Sequence, residues 1–294
     1  MINRLFGNYL VETGKITQAQ LEEVIATQKK VRVKLGLIAV AEKLMTPEQA
    51  DEVNQLQAIM DKRYGDIAVE KGYLTDEQVG RLLGLQGNPY LTFIQALDDC
   101  NYLTPEAADN ALAEYQKTNA FTATDIDALK SGDADRIVPL FLPAECTGLQ
   151  AELVKGAVRA LIRLIDSDTY VLKGAVVSAY EADRFALQDL NGEHDATLSF
   201  AADGDALKAI ADVYGQEDFA EVDLDALDAV GEFINCVNGM FSTKLSGTCN
   251  MDMLPPSYKA ARSVAKADAI CVFPVCVNGK VVNMLTTFDE TIGF

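Results

Sequence analysis

A stretch in the C-terminal half, DAVGEFINCVNG at residues 228–239, combines carboxylates, an amide and a glycine at helical spacing. The residues concerned are Asp228, Glu232, Asn235 and Gly239. At about 100° per residue they would lie within roughly 60° of arc on one side of a helix. A carboxylate can pair with a cation, an amide can donate and accept hydrogen bonds, and glycine permits close approach. The stretch therefore predicts a face that contacts a ligand or partner.

The opposite side of the same helix is apolar, and its members are Leu227, Val230, Ile234, Val237 and Phe241. Such spacing predicts a single amphipathic helix from about Leu224 to Ser246, ended by Gly247. One side would then pack on a core, while the other side stays open to solvent.

The elements around this helix predict an α+β domain at residues 147–294 with a largely antiparallel sheet. Strands are predicted at 169–180, 184–190, 194–202, 267–277 and 280–288, and further helices at about 147–166 and 205–214. Asn-Gly pairs at 191–192 and 278–279 predict hairpin turns. Thr147 and Gln150 have the spacing of a capping box at the start of the first helix.

The first 117 residues contain a repeat, because Thr17, Thr46, Thr75 and Thr104 are each separated by 29 residues. Each threonine is predicted to be a helix N-cap, and a glutamine three residues later completes a capping box in three of the copies. We therefore predict an all-helical repeat domain at 1–117, a linker at 118–146, and the α+β domain after it.

Composition excludes several classes of function. The net charge of −19 disfavours non-specific binding to nucleic acid, which depends on many cations. The sequence contains no run of about 18 apolar residues, so no transmembrane helix is predicted. The N-terminus lacks the pattern of a signal peptide, and we therefore expect a cytoplasmic protein. Six cysteines without a CxxC pair and a single histidine, His194, predict no metal site.

The repeat resembles the MshEN-type domain at the N-terminus of type II secretion and pilus-extension ATPases. That family carries the motif R-L-G-x-x-L-V-x-x-G-x-I followed by a capped helix ending in Gln. The most similar copies here are residues 63–86 and 34–57. Family members with intact motifs bind cyclic di-GMP, and the resemblance implies that the binding positions are Lys34, Gly36, Gln57, Arg63, Gly65 and Gln86.

The repeat departs from this family pattern at the arginine positions. Only Arg63 is an arginine, Lys34 stands in the preceding copy and Leu5 in the first. Lysine does not replace the bidentate contacts of a guanidinium. These substitutions count against cyclic di-GMP as a ligand of the repeats.

Residues 145–294 resemble the CheC/CheX family of chemotaxis phosphatases, through the motif D-x-x-x-E-x-x-N-x-x-x-G and the prolines after it. The resemblance implies hydrolysis of the aspartyl phosphate of a CheY-like response regulator. It implies that Asn235 orients the attacking water and that Glu232 pairs with a lysine of the regulator. Asp228 and Gly239 would contact the partner. The Mg²⁺ would belong to the regulator, so the chain is expected to need no cofactor of its own.

CheC-type members carry a second E-x-x-N on the first helix of the domain, but here Glu152 is followed at that spacing by Lys155. The resemblance therefore implies one active site, as in CheX, whose members form homodimers. Two alternatives stay open: a non-catalytic adaptor or sensor with the same fold, and a regulator gated by cyclic di-GMP. The presence of both Glu232 and Asn235 favours the enzyme.

Overall fold

The computed structural model describes residues 1–60 and 62–294, which divide into two compact units. One unit comprises residues 2–133, and the other comprises 134–294 with Met1. The division lies inside the segment predicted to be a linker. The helix at Ala123–Ser131 belongs to the first unit, where the Asn88 side chain donates to the Lys130 carbonyl at 3.0 Å.

The first unit is entirely helical within its described residues. Its helices are α1 (Ile2–Glu12), α2 (Gln18–Gln28), α3 (Leu35–Ala41), α4 (Pro47–Ile59), α5 (Tyr64–Glu70), α6 (Asp76–Gly84), α7 (Pro89–Asp99), α8 (Pro105–Thr118) and α9 (Ala123–Ser131). The three predicted capping boxes are present, beginning at Thr17, Thr46 and Thr75. In each, the threonine hydroxyl accepts from a backbone N–H and the glutamine accepts from the threonine N–H.

The second unit is an α+β domain, which confirms the predicted fold class. Its helices are α10 (Ala134–Ile137), α11 (Gly148–Leu164), α12 (Lys208–Gly215) and α13 (Leu224–Leu245). Its strands are β1 (Tyr170–Val171), β2 (Ala175–Ala182), β3 (Arg184–Gly192), β4 (Ala196–Ala202), β5 (Met251–Met253), β6 (Ser257–Lys259), β7 (Ser263–Val277) and β8 (Lys280–Phe288).

The strands form one antiparallel sheet in the order β1-β7-β8-β4-β3-β5, with β2 also paired to β7 and β6 to β3. The two predicted hairpins are β3–β4 and β7–β8. Asn278 and Gly279 form the second turn, with φ of 47° and 74°. Asn191 instead stays in β3 and pairs with Asp252 of β5, so the first turn comes later than predicted.

The predicted capping box at the start of α11 is wrong. The Thr147 side chain makes no capping hydrogen bond, and Gln150 turns away from the helix end. The Gln150 amide donates to the Thr286 carbonyl at 3.0 Å and to its hydroxyl at 3.2 Å. Because Thr286 lies in a buried strand, its polar atoms need partners, and the glutamine supplies one.

Helix α13 begins and ends within a residue of its predicted bounds. The Asp223 carboxylate accepts from the Ala226 N–H at 3.0 Å and caps the first turn. Its predicted apolar residues Leu227, Val230, Ile234, Val237 and Phe241 are all buried, and the helix packs on β3, β4, α11 and α12. None of the helices in the described ranges has both the length and the apolar character that a membrane crossing requires.

Candidate functional site

The outward side of α13 presents the four residues singled out in the sequence. Asp228 and Glu232 are exposed, whereas Asn235 and Gly239 are half-buried near the middle of the helix. Both carboxylates are therefore accessible to solvent at the N-terminal end of this face. The amide and the glycine lie further along the helix, on the side that faces the segment following α13.

The Asn235 side chain is held by the neighbouring sheet, which the sequence did not predict. Its Oδ1 accepts a hydrogen bond of 2.9 Å from Nε2 of Gln188 in strand β3. Asn235 lies on the outward side of α13 as expected, but it is half-buried and its side chain is also fixed from within the domain. The strand and the helix are adjacent, and the long glutamine side chain spans the gap between them.

Gln188 is a member of the candidate site that the sequence analysis did not single out. It is only 2% exposed, and its Nε2 also donates to the Leu254 carbonyl at 2.8 Å. Its Oε1 accepts from Nδ2 of the fully buried Asn238 at 2.9 Å. The sequence signal was a glutamine inside RFALQDL, at a position where the strand pattern would place a buried side chain.

Asp228 also has a defined role within the domain. Its Oδ1 accepts a hydrogen bond of 2.7 Å from the Tyr258 hydroxyl in β6. Burial, together with the negative charge of Asp228, raises the pKa of Tyr258 well above its usual range. The pair therefore ties β6 to the outer face of α13.

Glu232 makes no ion pair or hydrogen bond with the residues that the structure describes. Burial raises the pKa of both Tyr214 and Tyr258, and the negative charge of Glu232 adds to this rise. An exposed carboxylate without a partner keeps its full capacity to bind a cation from outside.

Gly239 lies beside an exposed apolar segment. A Cβ added at Gly239 would be 3.9 Å from Cε of Met253, an ordinary contact, so packing within the described chain does not demand glycine there. Met253 and Leu254 are 42% and 41% exposed and lead into the Pro255–Pro256 pair between β5 and β6. The glycine thus faces a surface with room for an approaching molecule.

The corresponding position on α11 differs in charge. Glu152 forms ion pairs with Lys155 and with Lys244, the latter at 2.7 Å. Hydrogen bonds from these two lysines lower the pKa of Glu152 to about 2. Its charge is compensated inside the domain, so α11 lacks the open carboxylate that α13 presents.

In the repeat unit, a cavity of about 510 Å³ collects five of the six predicted ligand-binding positions. Its lining includes Lys34, Gln57, Arg63, Gly65 and Gln86. The sixth position, Gly36, is buried and does not line the cavity: a Cβ there would meet the hydroxyl of Tyr64, a lining residue, at 2.6 Å. Gly65 likewise lies against Val79, at 2.8 Å from an added Cβ, so both glycines serve helix packing.

The charge of this cavity only partly suits a dinucleotide. Lys34 is paired with Asp99 at 3.1 Å, and Asp66 adds a negative charge to the lining. The Gln86 amide is engaged at both ends, donating to the Val33 carbonyl at 2.9 Å and accepting from Arg32 at 3.0 Å. Arg63 is exposed and pairs with none of the residues that the structure describes, and a guanidinium suits a phosphate.

Within the described ranges, no group of three or more histidine, cysteine, aspartate or glutamate side chains is arranged to hold a metal ion.

Residues 185–275, which include Gln188 and the whole of α13, match the family model for the chemotaxis phosphatase CheX. The match covers part of the second unit. The relation of the repeat unit to the MshEN-type domain stays a prediction. No curated protein matches the chain.

Several solved structures resemble about half of the chain. CheX from Desulfovibrio desulfuricans is 16% identical and covers 48% of this chain and 98% of its own, with a TM-score of 0.42. CheX from Vibrio vulnificus is 18% identical, with coverages of 49% and 99% and a TM-score of 0.40. A chain of the CheX–CheY–BeF₃–Mg²⁺ complex from Borrelia burgdorferi is 16% identical, with coverages of 47% and 96% and a TM-score of 0.38.

Proposed function

We propose that the second unit hydrolyses the aspartyl phosphate of a CheY-like receiver domain. The observation that supports this most is a carboxylate, Glu232, that has no partner in the described part of the chain and lies one helical turn from a fixed amide, Asn235, inside the segment that matches the CheX family model. Phosphoryl hydrolysis needs little covalent help from a protein, because positioning and charge compensation supply most of the catalysis. An open carboxylate and a fixed amide can provide both.

In this proposal Asn235 orients the water that attacks phosphorus in line with the leaving carboxylate. A side-chain amide can contact such a water through hydrogen bonds that fix its direction. Because Gln188 already holds the Asn235 side chain, the amide does not need to be ordered when the partner arrives.

Glu232 is proposed to pair with a lysine of the receiver domain and so to align α13 with the phosphorylated site. Gly239 and the exposed residues beside it would allow the receiver backbone to approach closely. The Mg²⁺ would be bound by the receiver, whose carboxylates would also carry the phosphoryl group.

The deciding experiment measures phosphate release from phosphorylated CheY-like receiver domains, with and without the full chain. We expect acceleration by the wild type and a loss of about 100-fold or more in the Asn235→Ala variant, as when one positioned hydrogen-bonding group is removed from an active site. Stable binding of a phosphorylated receiver without acceleration would favour the non-catalytic adaptor. The absence of both binding and acceleration would contradict either role.

Cyclic di-GMP binding by the repeat unit is a second candidate function, favoured by the five predicted positions that line one cavity. The departure from the family arginines predicts weak binding. Isothermal titration of the full chain with cyclic di-GMP tests it, with Arg63→Ala as the variant and Arg81→Ala, whose guanidinium pairs with Glu42 outside the cavity lining, as the matched control. Absence of heat at high micromolar concentration would remove this function and the gating hypothesis.

A further inference from the structure

We infer that Gln188 is a positioning residue that sets which end of the Asn235 amide faces the reaction. Gln188 is buried in β3, contacts Asn235 directly and is itself held from two other sides. The inference rests on the proposed function, because it assigns a chemical role to an orientation that the domain builds in.

The polarity of the contact follows from the backbone. The Leu254 carbonyl can only accept a hydrogen bond, so the Gln188 atom 2.8 Å from it must be the Nε2 donor. The same Nε2 lies 2.9 Å from Asn235, and two amide nitrogens cannot bond to each other, so the facing atom of Asn235 is Oδ1. The carbonyl of Leu254 thus fixes the orientation of both amides.

Asn238, one turn after Asn235 on α13, favours the same orientation of the Gln188 amide. Its Nδ2 donates to Oε1 of Gln188 at 2.9 Å, which requires Oε1 to point away from Asn235. This orientation leaves Oδ1 of the fully buried Asn238 without a hydrogen-bond partner among the described residues. The three side-chain amides therefore form a hydrogen-bond chain with one direction. The NH₂ group of Asn238 donates to Gln188, and the NH₂ group of Gln188 donates to Asn235. The NH₂ group of Asn235 is the last in the chain and points outward.

The outward NH₂ group gives Asn235 two donors for the reaction. One N–H donates to a lone pair of the attacking water, and the other donates to an equatorial phosphoryl oxygen, so that the amide bridges nucleophile and phosphorus. The second lone pair of the water forms the new P–O bond. The bond from phosphorus to the aspartyl oxygen breaks with its electron pair left on the carboxylate, and both water protons leave with dihydrogen phosphate.

The kinetic test uses Gln188→Met, which keeps the length of the side chain but removes its donors. We expect kcat for receiver dephosphorylation to fall by about tenfold to 100-fold with KM unchanged, since a poorly oriented group mainly affects the transition state. Ser199→Ala is the matched control, because Ser199 is equally buried in the adjacent strand and donates to the Ala186 carbonyl at 3.0 Å without contacting Asn235.

Gln188→Glu adds a readout that a merely structural role would not produce. A carboxylate cannot donate to Oδ1 of Asn235, whereas a protonated carboxyl group can. We expect the kcat of this variant to be low at high pH and to recover as the pH falls through an ionisation that the wild type does not show. Wild-type kcat and wild-type pH dependence in both Gln188 variants would overturn the inference.

A measurement without any receiver separates this inference from the proposed function. Side-chain amide NMR of the free, full-length protein should show Gln188 Nε2 protons protected from solvent exchange and Asn235 Nδ2 protons exchanging rapidly. Protected Nδ2 protons on Asn235 would overturn the inference even if the protein is a phosphatase. The expected exchange pattern together with no acceleration by the wild type would overturn the catalytic proposal while leaving the orientation established.

Discussion

Helices α11 and α13 belong to the same unit and pack against each other, yet they differ in whether a glutamate on the outer side has an ion-pair partner. On α11, Glu152 is neutralised by Lys155 and Lys244. On α13, Glu232 is left without a partner among the described residues. Compensated charge contributes to folding, whereas uncompensated charge beside a fixed amide is available to another molecule.

The inner sides of the two helices are alike. Leu161 on α11 and Phe233 on α13 are both completely buried, so each helix is held by the same hydrophobic force. What distinguishes α13 is therefore confined to its outer face and to the groups of β3 and β6 that reach it. A site can change on such a face with little consequence for the core.

The largest expected effect is the loss of stability when a buried side chain of either helix is truncated, which tests whether the two inner sides contribute alike. Phe233→Ala should lower the free energy of unfolding by about 3–5 kcal/mol and Leu161→Ala by about 2–5 kcal/mol, through lost burial and the cavities left behind. Urea denaturation measures both. A loss below about 1 kcal/mol from either truncation would contradict the packing described for that helix.

The outer faces should differ in activity. Glu232→Ala should reduce kcat/KM for receiver dephosphorylation by about tenfold or more, the ~1.5–3 kcal/mol of a charge-assisted hydrogen bond. Glu152→Ala on α11 is the matched control and should leave kcat/KM within about twofold of the wild type, since exposed ion pairs contribute little. Equal losses in the two variants would break the comparison.

A smaller effect is expected at Tyr258. Removing the hydroxyl in Tyr258→Phe deletes the 2.7 Å hydrogen bond that ties β6 to Asp228 on the outer face of α13. We expect the affinity for the phosphorylated receiver to fall by about threefold to tenfold, the ~1 kcal/mol of a hydrogen bond, in a fluorescence titration. Tyr102→Phe, which loses a hydrogen bond to Glu23 in the repeat unit, is the control and should bind normally.

The smallest effect concerns the pH dependence of stability. The pKa of Glu152 lies near 2 instead of 4.5 in the folded state, so its contribution is present above pH 4.5 and is lost as the pH falls toward 2. Glu152→Gln should remove about 0.2–1 kcal/mol at pH 7, the range for exposed ion pairs. Urea denaturation of both proteins at several pH values should show this difference shrinking toward pH 2; a difference that grows instead would contradict the sign.

Regular patterns in the sequence predicted much of this architecture. The helical spacing of apolar residues, with Gly247 after them, predicted α13 to within a residue of each end, and the threonine and glutamine pairs predicted three capping boxes of the repeat. The failures came where local chemistry met a competing tertiary partner. Gln150 has the spacing of a cap, but it bonds to Thr286, which lies 136 residues further along the chain.

The candidate site likewise contains residues that the sequence predicted and residues that it did not. Its outward residues could be found from the sequence, because helical periodicity is a property of neighbours along the chain. The residues that hold them could not, because Gln188 reaches Asn235 across 47 positions and Tyr258 reaches Asp228 across 30.

Sequence alone therefore determined that this protein has a helix with a carboxylate and an amide on its open side. Only the tertiary structure decided which carboxylate stays unpaired and which way the amide points. The physical reason is that periodicity fixes the direction of a side chain from its own element, whereas its hydrogen-bond partners depend on the register and packing of strands elsewhere in the chain.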